Sequence, residues 1–120
     1  MAQFLVLLID DDPVVQHVVE AILNHHNIHL AVASNEKETI QRLNEVHPDI
    51  VILDIFLPGL DGYALLKIVK QYVSCPVIAT TTYYTSASRA SMEAAGFDTF
   101  LPKPIVPERL IPLLEELFYA

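Results

Sequence analysis

At 120 residues, 52 % of them apolar, the chain is long enough to bury one core and too short for two domains. Its formal charge of −8, from 15 acids against 7 scattered bases (Lys37, Arg42, Lys67, Lys70, Arg89, Lys103 and Arg109), argues against direct binding to nucleic acid or an anionic membrane. The longest apolar run, Phe4–Ile9, is far short of the roughly 18–20 residues that span a bilayer, and no basic segment precedes it, so neither a span nor a signal peptide is expected and the cytoplasm is the expected location.

Met1 is the residue expected at a natural start. Phe4–Ile9 (FLVLLI) has the unbroken apolar character of a strand buried on both faces. A helix is predicted over Pro13–His26: Pro13 suits a first turn, Asp12 can cap it, and Val14, Val15, Val18, Val19, Ile22 and Leu23 recur at helical spacing. His29–Ala33 reads as a short strand, and Asn35–Val46 as a helix with Ile40, Leu43 and Val46 on one face. Asp49–Leu53 (DIVIL) is a third strand that delivers Asp54. Pro58-Gly59-Leu60-Asp61-Gly62 reads as a loop from its breakers, with Asp61 able to cap a helix over Gly62–Tyr72. The single Cys75 cannot form an internal disulfide; it fits a reducing compartment, as a small packing residue at the start of the strand Pro76–Thr81. Ser86–Ala95 is a helix that Gly96 stops, and Thr99–Leu101 a fifth strand. Pro107–Phe118 is the last helix, with Pro112 expected to distort its first turns.

Strand and helix alternate five times, which implies a parallel sheet with helices on both faces and right-handed crossovers. Ligands bind such sheets beyond the carboxyl ends of the strands. Those ends carry Asp10-Asp11-Asp12, Asp54, Thr80-Thr81-Thr82, and Lys103 between Pro102 and Pro104. Carboxylates brought close repel one another, and a divalent cation relieves that; an all-oxygen site suits Mg²⁺. A carboxylate can act as a nucleophile and form an aspartyl-phosphate. Phosphoryl transfer chiefly needs positioning and charge neutralisation, to which Lys103 as a compact cation and Thr81 as a hydroxyl donor can contribute.

Four blocks, Leu7 to Pro13, Val51 to Gly62, Pro76 to Ile78 and Ala95 to Pro104, in order and at the right spacings, make the whole chain resemble the receiver domains of two-component signalling. The resemblance implies one α/β domain over residues 1–120: a doubly wound, flavodoxin-like (βα)5 fold with a five-stranded parallel sheet of order 2-1-3-4-5. It implies that Asp54 accepts a phosphoryl group from a histidine kinase or histidine phosphotransfer protein. Asp11 becomes a direct Mg²⁺ ligand, Asp10 acts largely through water, and the backbone carbonyl of Phe56 ligates the metal with Asp54. Lys103 matches the family's lysine. Thr81 matches the switch hydroxyl, because Lys103 follows it at the family's spacing, with Thr82 the second candidate; Phe100 matches the switch aromatic. The protein is then a signalling switch that catalyses only its own phosphorylation and dephosphorylation. Its output surface would be the fourth helix, the fifth strand and the last helix, offered to a downstream partner or a second copy. Thr82 departs from the small residue usual there, and Phe56 and Tyr83 are bulky at two positions that tune dephosphorylation in the family.

Plainer readings stand beside these. Asp12 and Asp61 read as helix caps before metal ligands. Phe100 can be core. His25, His26 and His29, at a helix end and a following strand, read as solvated side chains. A phosphatase of the haloacid dehalogenase type would use Asp10 as nucleophile, from Asp10-Asp11-Asp12-Pro13-Val14, but leaves Asp54 without a purpose. A pseudo-receiver would bind proteins without carrying phosphate, yet such domains lose acidic residues that this chain keeps. A flavin-binding relative would need a phosphate loop where three aspartates stand.

Overall fold

Unbroken apolar runs and capped amphipathic segments fold here as alternating strands and helices. The computed structural model describes residues 3–119; Met1 lies outside the described residues. The elements are β1 (Leu5–Ile9), α1 (Pro13–Asn24), β2 (His29–Ala33), α2 (Glu36–Glu45), β3 (Ile50–Asp54), β4 (Phe56–Leu57), β5 (Leu60–Asp61), α3 (Gly62–Tyr72), β6 (Val77–Thr81), α4 (Ser86–Ala95), β7 (Thr99–Pro102) and α5 (Pro107–Phe118). No helix among the described residues is long and apolar enough to cross a membrane.

Five strands form one parallel sheet in the order β2-β1-β3-β6-β7. The five expected strands keep the order 2-1-3-4-5, and the numbering is corrected for two further short strands, β4 and β5, that stand outside this sheet. Phe56–Leu57 and Leu60–Asp61, within or beside the expected loop, pair antiparallel as a separate hairpin. Pro58 and Gly59 close it, with Gly59 at φ 69°, a left-handed conformation that costs glycine little. Two residues per strand are too few for a period-two pattern to show.

Alternation divides the core in two. Leu7, Ile9, Val51, Leu53, Val77 and Ala79 face Leu43, Leu65, Leu66, Val69 and Met92 of α2, α3 and α4. Val6, Leu8, Ile50, Ile52, Ile78 and Leu101 face Val19, Leu23, Leu110 and Leu114 of α1 and α5. Each such Leu, Ile or Val contributes about 1.5–3 kcal/mol of burial. Carried to the strand ends, the same parity puts Asp10, Asp54 and Thr80 on the α1/α5 side and Thr81 on the other.

Local chemistry sets most boundaries. Asp12, Asn35, Asp61 and Thr85 cap α1, α2, α3 and α4 through side-chain oxygens that accept backbone N–H groups. α1 ends two residues earlier than expected, with His25 as its C-cap. β3 begins one residue later and takes in Asp54. α5 runs through Pro112 without ending, which leaves the Glu108 carbonyl without its usual donor. α3 starts hard against the preceding chain: a Cβ on Gly62 would lie 2.5 Å from Ile55 Cα, and the Gly62 N–H donates to the Ile55 carbonyl at 3.1 Å. Asp98 ties β7 to β6, its N–H donating to the Val77 carbonyl at 2.9 Å and its Oδ2 accepting the Val77 N–H at 2.8 Å.

Candidate functional site

The central strands deliver the acidic residues. β1 and β3 are neighbours with Ile9 opposite Leu53, so Asp10 and Asp54 are the next residues on adjacent strands. Asp10 is wholly buried, Asp54 is 5 % exposed and Asp11 is open to solvent. Carboxylate oxygens of Asp10, Asp11 and Asp54 all lie within 4.8 Å of one another, and among the described residues this is the one such group able to hold a metal ion. His25, His26 and His29 are exposed and form no such group.

Lys103 answers part of this charge. Its N–H donates to the Thr81 carbonyl at 3.0 Å, which fixes the residue at the end of β6. Its ammonium lies 2.8 Å from Asp10 Oδ2 and 3.1 Å from Asp54 Oδ2, with 13 % of the side chain exposed. The contact with Asp54 is a hydrogen bond. The contact with Asp10 is the shorter of the two and pairs the ammonium with a wholly buried carboxylate. The Lys103–Pro104 peptide bond is cis. Lys103 also lines a groove of about 350 Å³ with Val14, Val15, Val18, Thr82, Pro104 and Ile105.

The remaining oxygens are held by backbone. Asp10 Oδ1 accepts the Asp12 N–H at 2.9 Å, and Asp54 Oδ1 accepts the Phe56 N–H at 3.0 Å. Gln16 Nε2 donates to the Asp10 carbonyl at 2.6 Å and to Ser34 Oγ at 3.0 Å. Burial pushes the Asp10 carboxyl above the ordinary carboxylate range, against the opposing pull of Lys103 and the Asp12 N–H. Burial also presses the Lys103 ammonium downward, but Asp10 and Asp54 outweigh it and hold the pKa above the usual lysine value.

One ammonium among three carboxylates leaves an excess of negative charge. An all-oxygen donor set of three carboxylates, shared by a single ammonium, fits a hard divalent cation. Asp12 Oδ1 instead accepts the Val14 N–H at 2.9 Å, and Asp61 Oδ1 the Tyr63 N–H at 2.9 Å, as caps do.

Other expected residues lie apart from the carboxylates. Thr81 Oγ1 accepts the Tyr83 N–H at 2.9 Å. The exposed rings of Phe56 and Tyr83 meet edge-on, centroids 5.5 Å apart. Phe100 packs half-buried on the core, 6.3 Å from the Tyr84 ring, with the Arg89 guanidinium 5.7 Å from its centroid. Cys75 is half-buried, and burial raises its thiol to about 11. In the sequence Thr80 stands out only as part of a threonine run, and counting alternate residues from Ile78 is the signal that puts it on the Asp54 side.

The family model for the response regulator receiver domain matches residues 6–115, and the chain belongs to that family. It is a receiver domain of two-component response regulators, which leaves the phosphatase and pseudo-receiver readings without support. The chain is 32 % identical over 113 residues to the transcriptional regulatory protein TrcR of Mycobacterium tuberculosis, covering 93 % of this chain and 44 % of TrcR. It thus spans less than half the length of that relative. A two-component response regulator from Clostridium difficile superimposes with a TM-score of 0.92 at 25 % identity, over 98 % of both chains. The receiver domain of the sensor histidine kinase PA1611 from Pseudomonas aeruginosa PAO1, solved with magnesium coordinated in its active-site cleft, matches with a TM-score of 0.85 at 25 % identity, over 99 % of this chain and 100 % of that one.

Proposed function

We propose that residues 1–120 act as one receiver domain in which Asp54 accepts a phosphoryl group from a histidine kinase or histidine phosphotransfer protein. The observation that carries this reading is the Lys103 ammonium bridging Asp10 and Asp54, with a third carboxylate within 4.8 Å. An Asp54 oxygen attacks phosphorus, the donor's bond to phosphorus breaks, and the donor nitrogen leaves with its electron pair. The Phe56 N–H fixes the carboxylate's aim, and Lys103 follows the charge onto the phosphoryl group. Asp10, Asp11, Asp54 and the Phe56 carbonyl would hold Mg²⁺. Bound there, the ion neutralises charge on the transferred group. A lone Cys75 kept protonated by burial suits a reducing, cytoplasmic setting.

Thr81 and Phe100 are the proposed switch. The Thr81 hydroxyl turns toward the phosphoryl group, the loop that starts at Thr82 follows, and Phe100 moves into the space vacated. The surface of α4, β7 and α5 changes for a downstream partner or a second copy. The half-buried state of Phe100 and its contacts with Tyr84 and Arg89 support this, since Tyr84 belongs to the loop that would move and Arg89 to α4, part of the surface that would change.

The test is phosphorylation by acetyl phosphate with Mg²⁺. One acid-stable, base-labile phosphoryl group should appear on Asp54 by mass spectrometry, and Asp54→Ala should abolish it. Phosphate found on Asp10 would refute the assignment.

A further inference from the structure

Thr80 carries a hydroxyl with no use in the resting protein. The residue is wholly buried and its Oγ1 has no hydrogen-bond partner. An unpaired hydroxyl is a net cost at a site that valine, of the same shape, would fill without it.

Its position points to a use. Thr80 is the register partner of Asp54 on one side and of Leu101 on the other. It lies on the α1/α5 side of the sheet, following Ile78, as Asp54 follows Ile52 and Lys103 follows Leu101. Thr80 therefore stands beside Asp54 at one strand spacing, about 4.8 Å between backbones. Lys103 reaches Asp54 and Asp10 from beyond β6, so its stem crosses the strand that Thr80 occupies. Thr81 has the opposite parity and its oxygen is engaged by the Tyr83 N–H.

In the resting state Asp54 already has a donor on each oxygen, Phe56 N–H on Oδ1 and Lys103 on Oδ2, and the Thr80 hydroxyl is bonded to neither. A phosphoryl group concentrates negative charge beyond the carboxylate and draws the ammonium outward. The buried carboxyl group then loses a donor. We infer that Thr80 is a positioning residue of the phosphorylated state: its hydroxyl donates to the Asp54 carboxyl when Lys103 turns to the phosphoryl group. The hydroxyl keeps its proton, so no covalent step is added. The inference rests on Asp54 being the phosphoacceptor.

Beryllofluoride with Mg²⁺, a phosphoryl mimic, tests it by calorimetric titration and thermal melting. Thr80→Val should melt higher than wild type without the mimic, because an orphan hydroxyl is gone, yet bind the mimic about fivefold more weakly, the worth of one neutral hydrogen bond. Thr80→Ser retains the hydroxyl and should restore affinity. Wild-type affinity in Thr80→Val, whatever its melting temperature, overturns the inference, as does a Thr80→Ser variant as weak as Thr80→Val. A wild type that ignores the mimic, or an Asp54→Ala variant that binds it equally well, overturns the phosphoacceptor reading and this inference with it.

Discussion

Replacing Lys103 by methionine keeps the bulk of the stem and deletes the charge. In the wild type the ammonium sits 2.8 Å from Asp10 Oδ2 and 3.1 Å from Asp54 Oδ2, between side chains that are 0 % and 8 % exposed. Unit charges about 4 Å apart attract by about 4 kcal/mol at an effective dielectric of 20, much of it offset by desolvation. Removing one partner of a buried pair leaves the others uncompensated and typically costs about 3–5 kcal/mol. We take the lower end, about 3 kcal/mol, because Asp11 opens the cluster to solvent. At an unfolding entropy of about 2.1 cal/mol/K per residue, that lowers Tm by about 12 °C in a chain of this length. Two conditions should restore it. Asp10 already titrates above its ordinary value, so folding favours its neutral form. That contribution is full below pH 3.8 and is lost as pH rises through the folded pKa, so the variant should gain on wild type as pH falls toward 4. Mg²⁺ should raise the variant's Tm more than the wild type's, because the ion enters a site with one positive charge fewer. Melting curves with and without Mg²⁺ decide the matter. A metal-free Tm within about 4 °C of wild type, with no larger response to Mg²⁺, would refute the reasoning.

Asp10→Asn should raise the metal-free Tm, since it removes a wholly buried charge that burial disfavours and leaves Lys103 paired with Asp54, and should weaken Mg²⁺ binding in the same titration. Gly62→Ala should cost about 2–3 kcal/mol in urea unfolding, because the new Cβ would meet Ile55 backbone atoms at 2.5 and 2.6 Å that cannot move aside cheaply. Asp98→Ala should cost about 1–2 kcal/mol by the same assay, as the Val77 N–H loses its 2.8 Å acceptor. The Cys75 thiol is raised from 9.0 to about 11, so its favourable contribution is present below pH 9 and lost as pH rises through about 11. Iodoacetamide at pH 8 should alkylate the folded protein about 100-fold more slowly than the denatured chain, and equal rates would contradict the burial of the thiol.

Much of the architecture is written in neighbouring residues. α3, α4 and α5 run over the segments expected, Gly62–Tyr72, Ser86–Ala95 and Pro107–Phe118, because Asp61, Thr85, Gly96 and Pro107 supply caps, a stop and a start within a turn of each boundary. Alternation of apolar runs with helical patterns likewise determines a parallel sheet, and a parallel sheet puts the ends of β1, β3, β6 and β7 on one edge. Other features are not local. The β4–β5 hairpin depends on a left-handed Gly59 and on pairs too short to leave a pattern. Which carboxylate is buried, and which oxygens Lys103 meets, depends on the sheet bringing side chains 49 residues apart in the chain to within 3.1 Å. The threonine run is alike in sequence, yet Thr80 is buried with an idle hydroxyl, Thr81 accepts the Tyr83 N–H, and Thr82 lines the groove beside Lys103. Periodicity and capping act over a few residues and can be read along the chain, whereas burial and charge pairing depend on what the sheet brings from a distance, and only the tertiary structure decides them.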